Sequence, residues 1–351
     1  MGQETENLIQ PNPFFWLAAP IAGAELVSIP LSIHPVAALG SATQAILFLL
    51  AAWYFTLRIQ AQSGVTRFRF LLYGTVVLSF FLSIGQFLGR APGVPFHATG
   101  GFQDWNYYPV YLMSLLPFIT MEIRSAEIGW IKRIFMATFA GIVLLALAAA
   151  SRTGMVIIAA TLLLLFVFHL VDRKYLKWLI PLFFLAFYQL IQILGHQSLS
   201  LSEKMNQWLA SPRLQDRFFT NLYALQTWIR HPFLGVGSGQ LEAYVQWESI
   251  QAAERIQSSY TTLPVLLAER GLIGGLAYLA LVVRLFSLFQ SPRDPKSLLH
   301  RAAFCSLCSL CVSSFFFSVH TQLFTWCLLG FLFAIATGEE SKTTPAANES
   351  A

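Results

Sequence analysis

ASRTGMVIIAATLLLLFVFHL, residues 150–170, carries no charge after Arg152 and only one hydroxyl from Met155 to Phe168. A stretch of about 20 apolar residues crosses a hydrocarbon core of about 30 Å as a helix rising 1.5 Å per residue. The run is continuous rather than alternating, which argues for a membrane helix and against a transmembrane β-strand. The pattern recurs along the 351 residues, of which 56% are hydrophobic and only 11% charged. Soluble domains carry about 25% charged residues. The expected fold is therefore all-α: a polytopic membrane bundle of about ten transmembrane helices.

The ten expected spans are 14–33, 36–57, 70–88, 107–121, 131–150, 153–171, 175–194, 271–289, 301–318 and 322–337. They divide the chain into a short N-terminus (1–13), seven spans (14–194), a large helical outer loop (195–270), three further spans (271–337) and a tail (338–351) expected to be disordered. The opening MGQETENLIQPNP lacks a basic region, so no cleavable leader is expected. Orientation follows from Lys and Arg near the membrane ends. One set of alternate loops holds Arg58, Arg67, Arg69, Arg124, Lys132, Arg133, Arg173, Lys174, Lys177, Arg284, Arg293, Lys296, Arg301 and Lys342, fourteen of the 22 basic residues. These loops should face the cytoplasm, together with both termini. The other set is Arg90, Arg152, Lys204, Arg213, Arg217, Arg230, Arg255 and Arg270. Seven of these eight are arginine, the side chain best suited to bidentate binding of phosphate or carboxylate.

No basic helix interleaved with aromatics points to nucleic acid. Cys305, Cys308, Cys311 and Cys327 lie in apolar runs without further ligands, so they read as small core residues, and no metal or cofactor is expected. The outer face carries two polar segments, 89–106 and 195–270. Within the second lies TWIRHPFLGVGSGQLEAY, residues 227–244. Its glycines at 235, 237 and 239 permit positive φ and close backbone approach. The spacing fits neither a Walker A loop nor a dinucleotide fingerprint. Two readings stay open: a nest of amides for an anion, and a tight turn packing an outer helix on the membrane domain. Upstream, Phe218, Leu222, Leu225 and Ile229 share one helical face, with Arg217 near its start. Downstream, Glu269 and Gly271 fall at a membrane boundary.

Four segments, in order, resemble the O-antigen ligase and Wzy-type polymerase superfamily of bacterial membrane glycosyltransferases. They are FQDWNYYPVYLMSLLPF (102–118), ASRTGMVIIAATLLLLF (150–166), RFFTNLYALQTWIRHPFLGVGSG (217–239) and YTTLPVLLAERGLIGGL (260–276). The resemblance implies an enzyme of the bacterial inner membrane. Its donor would be an undecaprenyl-diphosphate-linked glycan and its acceptor a second glycan or a lipid. It assigns Arg152 and Arg217 to the diphosphate, with Glu269 and Tyr260 as catalytic candidates at the acceptor. Arg90, Arg213, Arg230, His231, Asn106, Gly235, Gly237 and Gly239 are candidates for substrate binding. Tyr260 and Thr261 stand where ligases of this family carry a His-Asn pair. His97, Asp104, Glu25 and His320 are further polar candidates on the outer face. Two other readings remain: a transporter or flippase of an anionic or lipid-linked sugar, and a non-catalytic protein of the same fold.

Overall fold

The structure is a computed structural model and describes residues 13–60, 64–89, 97–102, 104–149, 152–171, 181, 212–248, 261–290 and 297–338. The expected span at 175–194 thus falls outside the described residues but for 181. Among the described residues the regular structure is entirely helical. The helices are α1 (Pro13–Ser28), α2 (Pro35–Gln60), α3 (Gly64–Leu88), α4 (Tyr107–Ser125), α5 (Gly129–Ala148) and α6 (Arg152–Val167). They continue with α7 (Pro212–Arg230), α8 (Leu241–Glu248), α9 (Thr262–Gln290), α10 (Leu298–Ser314) and α11 (Leu323–Gly338). α1, α2 and α7 each begin on proline, whose missing N–H is not needed in a first turn and whose φ is already helical. Ser297 caps α10, its hydroxyl accepting from the His300 amide at 3.4 Å.

Five helices among the described residues are long and apolar enough to cross a membrane: Pro13–Leu31, Pro35–Leu57, Phe70–Leu88, Gly129–Ala148 and Thr262–Gln290. Thr153–Val167, Leu298–Ser314 and Leu323–Thr337 are shorter apolar helices. The expected eighth span starts earlier than anticipated, at Thr262 rather than 271. The expected fourth span is helical, but its helix runs on through Glu122 and Arg124 to Ser125 and is not among the helices both long and apolar enough to cross a membrane.

The chain forms two compact units. The first comprises Met1–Val65, Gln215–Ser291 and His320–Ala351. In it α1 packs on α2 and α9, α2 on α11, and α9 on α8 and α11. The α2–α11 contact is close. A Cβ on Gly330 would strike the Ala52 carbonyl, and the Thr56 hydroxyl bonds both the Ala52 carbonyl (2.8 Å) and the Gly330 carbonyl (3.1 Å). α9 buries Gly271, Gly274, Gly275 and Tyr278 and turns Leu272, Ile273, Leu276, Leu279 and Val283 outward. Over Gly271–Leu279, glycines inside and large apolar residues outside is the distribution of a lipid-facing segment, the inverse of one in water, whereas further along Leu281, Leu285, Leu288 and Phe289 are buried.

The second unit comprises Thr66–Leu214 and Pro292–Val319. Its centre is α4, buried continuously from Tyr108 to Glu122 and packed on α5, α6 and α10. Hydroxyls join these helices: Ser306 donates to the Ser114 carbonyl at 2.6 Å, and Thr161 and Ser309 share a bond of 2.7 Å.

Candidate functional site

α9 is broken where the sequence reads AERG. Gly271 has φ 62° and ψ −164°, a conformation essentially confined to glycine. A break frees carbonyls on one side and amides on the other, and in an apolar setting each must find a partner. The HPFLGVG segment supplies them. The amides of Val236 and Gly237 donate to the carbonyls of Ala268 (2.9 Å) and Glu269 (3.0 Å). In return the amides of Leu272 and Ile273 donate to the carbonyls of Pro232 (2.8 Å) and Phe233 (3.4 Å). Turn and helix thus exchange backbone bonds on both sides of the break. The approach leaves no room for side chains: a Cβ on Gly235 would enter the Glu269 backbone, and one on Gly271 the Phe233 backbone.

Gly235, Gly237 and Gly239 all have positive φ. The Gly235 amide donates to the His231 carbonyl at 3.1 Å, and the Gly239 backbone bonds the Glu269 carboxylate. With Val236 and Gly237 also donating within the protein, the turn contributes shape and closure here rather than a row of open amides.

The break presents Glu269 and Arg270, both buried. The Arg270 guanidinium uses its three nitrogens in three directions. Nε donates to Glu25 on α1, Nη1 to His320 Nε2 (3.2 Å) and Nη2 to Ser238 Oγ of the Gly-rich turn (3.2 Å). Glu269 Oε2 lies 3.6 Å from Nη1. Its other oxygen accepts from the Leu241 amide at 3.5 Å, which places the carboxylate at the N-terminus of α8, where negative charge is favoured.

Because an arginine only donates, His320 Nε2 must accept, and the ring proton belongs on Nδ1. Burial, and then the adjacent guanidinium, hold His320 well below the usual histidine range, so the ring is neutral. Trp326 fixes this loop by donating to the His320 carbonyl at 2.7 Å, and Tyr278 meets the imidazole edge-on. His320 Nδ1, Glu25 Oε2 and Gln240 Oε1 are buried atoms without a hydrogen-bond partner.

Of the residues singled out in the sequence, Glu269, the three glycines, Glu25 and His320 come together at this break. His231 stands at the entry to the turn, its Nε2 3.1 Å from the Tyr244 hydroxyl. Arg230 is exposed in the last turn of α7. Arg213 and Arg217 lie in the first half of α7, and Arg152 opens α6. Arg90 and Tyr260 lie outside the described residues. In the second unit the Asn106 amide and side chain both donate to Asp104 Oδ1 (2.9 and 2.8 Å), turning the chain into α4. The same loop stacks His97 on the half-exposed Trp105, with ring centroids 4.5 Å apart. It is held to the end of α5 by Ala98 N–H to the Ala148 carbonyl (3.3 Å), just before Arg152 in sequence.

Arg270 and Ser238 are the site residues that the sequence reading passed over. The available signal was the dipeptide Glu269-Arg270 inside an apolar run, since charges at membrane depth are rare and paired. No family model matches the sequence, and no curated protein matches it.

Proposed function

We propose that this chain is a membrane glycosyltransferase of the outer side of the bacterial cytoplasmic membrane. It would move or polymerise a glycan carried on undecaprenyl diphosphate, with a second glycan or a lipid as acceptor. The observation that carries this reading is the position of the break in α9. From Gly271 to Gln290 the helix covers about 30 Å at 1.5 Å per residue, a full membrane thickness. If Gly271–Gln290 is the segment that crosses, the charged cluster and the Gly-rich turn would sit at its edge, the depth at which a lipid-linked diphosphate meets a hydrophilic acceptor.

Arg270 engages Glu25, Glu269, His320 and Ser238, so in this reading it organises the site. In this reading the leaving diphosphate falls to Arg152 and Arg217, whose guanidinium groups stabilise the departing charge without a metal. Arg90, Arg213 and Arg230 are further candidates for binding the substrate. Glu269 orients the acceptor hydroxyl, and Tyr260 occupies the place of the ligase histidine.

The test is a transfer assay with the purified full chain in nanodiscs and undecaprenyl-diphosphate glycans, read by gel and mass spectrometry. Arg152→Ala and Arg217→Ala should each abolish product while the protein remains folded. Glu269→Gln should lose turnover although it can still accept from the Leu241 amide. Full activity in both arginine variants would reject the assignment. The break itself favours a second reading, since transporters build sites from discontinuous helices. Those breaks lie near the bilayer midplane, whereas this one leaves a full membrane thickness of helix, from Gly271 to Gln290, on one side. Carrier movement across vesicles without glycan transfer would select that reading.

A further inference from the structure

α7 has two unlike faces. The face packed on α8 and α9 is built from small or hydroxyl-bearing residues: Thr220 and Ala224 are 0% exposed and Thr227 is 3% exposed. Ala224 joins a cluster with Leu241, Val245, Val265 and Ala268, and Tyr223 packs against it. Asn221 ties this face to the start of α9, its side-chain oxygen accepting from the Thr261 amide (3.1 Å) and hydroxyl (2.9 Å). The opposite face carries the large apolar residues. Phe218 and Ile229 are 67% and 69% exposed, and Leu222 and Leu225 lie exposed between them. A helix docked on a protein in water does the reverse, burying Phe, Leu and Ile and exposing Thr.

The stripe does not end with α7. Phe233, just beyond it, is equally exposed, and its carbonyl accepts from Ile273 of α9. Ile273, Leu272 and Leu276 are outward-facing residues of a membrane-length helix in the same unit. The exposed face of α7 thus runs through Ile229 and Phe233 onto the outward surface of α9. Where the two meet, α7 and the Gly271–Leu279 stretch of α9 share one inverted pattern, with small residues inside and Leu, Ile or Phe outside.

We propose that α7 lies in the membrane–water interface, with Phe218, Leu222, Leu225, Ile229 and Phe233 among the acyl chains of the bilayer. The occupant of this face is lipid, because the face is continuous with that of a helix long and apolar enough to span. An amphipathic helix at this depth is held by its buried apolar area. Residues 195–270 would then be partly immersed rather than a wholly aqueous loop, and the turn would meet a lipid-linked substrate sideways from the bilayer.

The test is spin-label accessibility of the full chain in phosphatidylethanolamine–phosphatidylglycerol nanodiscs. Nitroxides are placed at Leu222→Cys, Ile229→Cys, Gln226→Cys and Thr227→Cys, and the unsubstituted protein gives the background of its four native cysteines. Collision with oxygen, which partitions into hydrocarbon, is compared with collision with a water-soluble nickel chelate. The ratio of oxygen to nickel collisions should exceed one at Leu222 and Ile229 and fall below one at the exposed Gln226. Thr227 should be shielded from both. Nickel access at Leu222 and Ile229 would overturn the proposal by placing the stripe in water. Shielding of both positions from both reagents would overturn it in favour of a second copy or another protein.

Discussion

Arg270 has four polar partners and almost no water, which sets how its neighbourhood responds to mutation. Removing one side of a buried ion pair leaves the other charge uncompensated, at a cost of about 3–5 kcal/mol. Arg270→Met should destabilise the protein by that order in chemical unfolding in detergent. Arg270→Lys should not rescue it, because one ammonium cannot serve three directions as a planar guanidinium does. The double variant Glu25→Gln/Arg270→Met should recover part of the loss. His320 gives a pH dependence whose sign follows from its depressed value. Below the unfolded histidine value of about 6.5 the unfolded chain takes up a proton that the folded chain refuses. This contribution to stability is complete above that pH and declines below it, with a slope of at most about 1.4 kcal/mol per pH unit. Unfolding measured from pH 5 to 8 should show a decline that His320→Asn flattens. These partnerships were not legible beforehand. Glu25 and Arg270 are 245 positions apart, and no local pattern announces a pairing across that distance.

At the scale of elements, the break in α9 makes a sharper distinction between glycines than sequence allows. Gly271 occupies a glycine-only conformation against the Phe233 backbone, whereas Gly23 lies in α1 with open space beside it. Gly271→Ala should cost at least roughly 1–3 kcal/mol of backbone strain and should also loosen the turn. Gly23→Ala should be neutral, or stabilise by about 0.5–1 kcal/mol through the better helix propensity of alanine. Thermal unfolding of both variants side by side checks the pair. The apolar runs marked α1, α2, α3, α5 and the body of α9 plainly, because length and continuity alone carry that signal. The stripe of α7 was also legible as a helical face, but not which way it points. Periodicity groups Phe218 with Leu222, Leu225 and Ile229 and is silent on whether protein or lipid covers them.

For the whole molecule, the topology proposed from the positive charges has the α4–α5 connection inside and the entry to α4 outside. A cytoplasm-active reporter should light up when fused after Glu127 or Gln290 and stay dark after Asn106, with the opposite result for a reporter active only outside. An all-helical membrane-length architecture followed from composition. The count of about ten spans did not follow so simply, since α4 became the buried centre of a unit and ends in charged residues. The exchanged backbone bonds at the break also bear on how the chain is made. Residues 232–237 leave the ribosome before 268–273, so in the proposed orientation the turn would cross the bilayer before its partner segment in α9 arrives. The amides of Leu272 and Ile273 have no carbonyl of their own helix to bond and are protected only once the turn has docked. In hydrogen exchange by mass spectrometry, these two amides would time the closing of an outer loop from inside the sequence of a membrane helix.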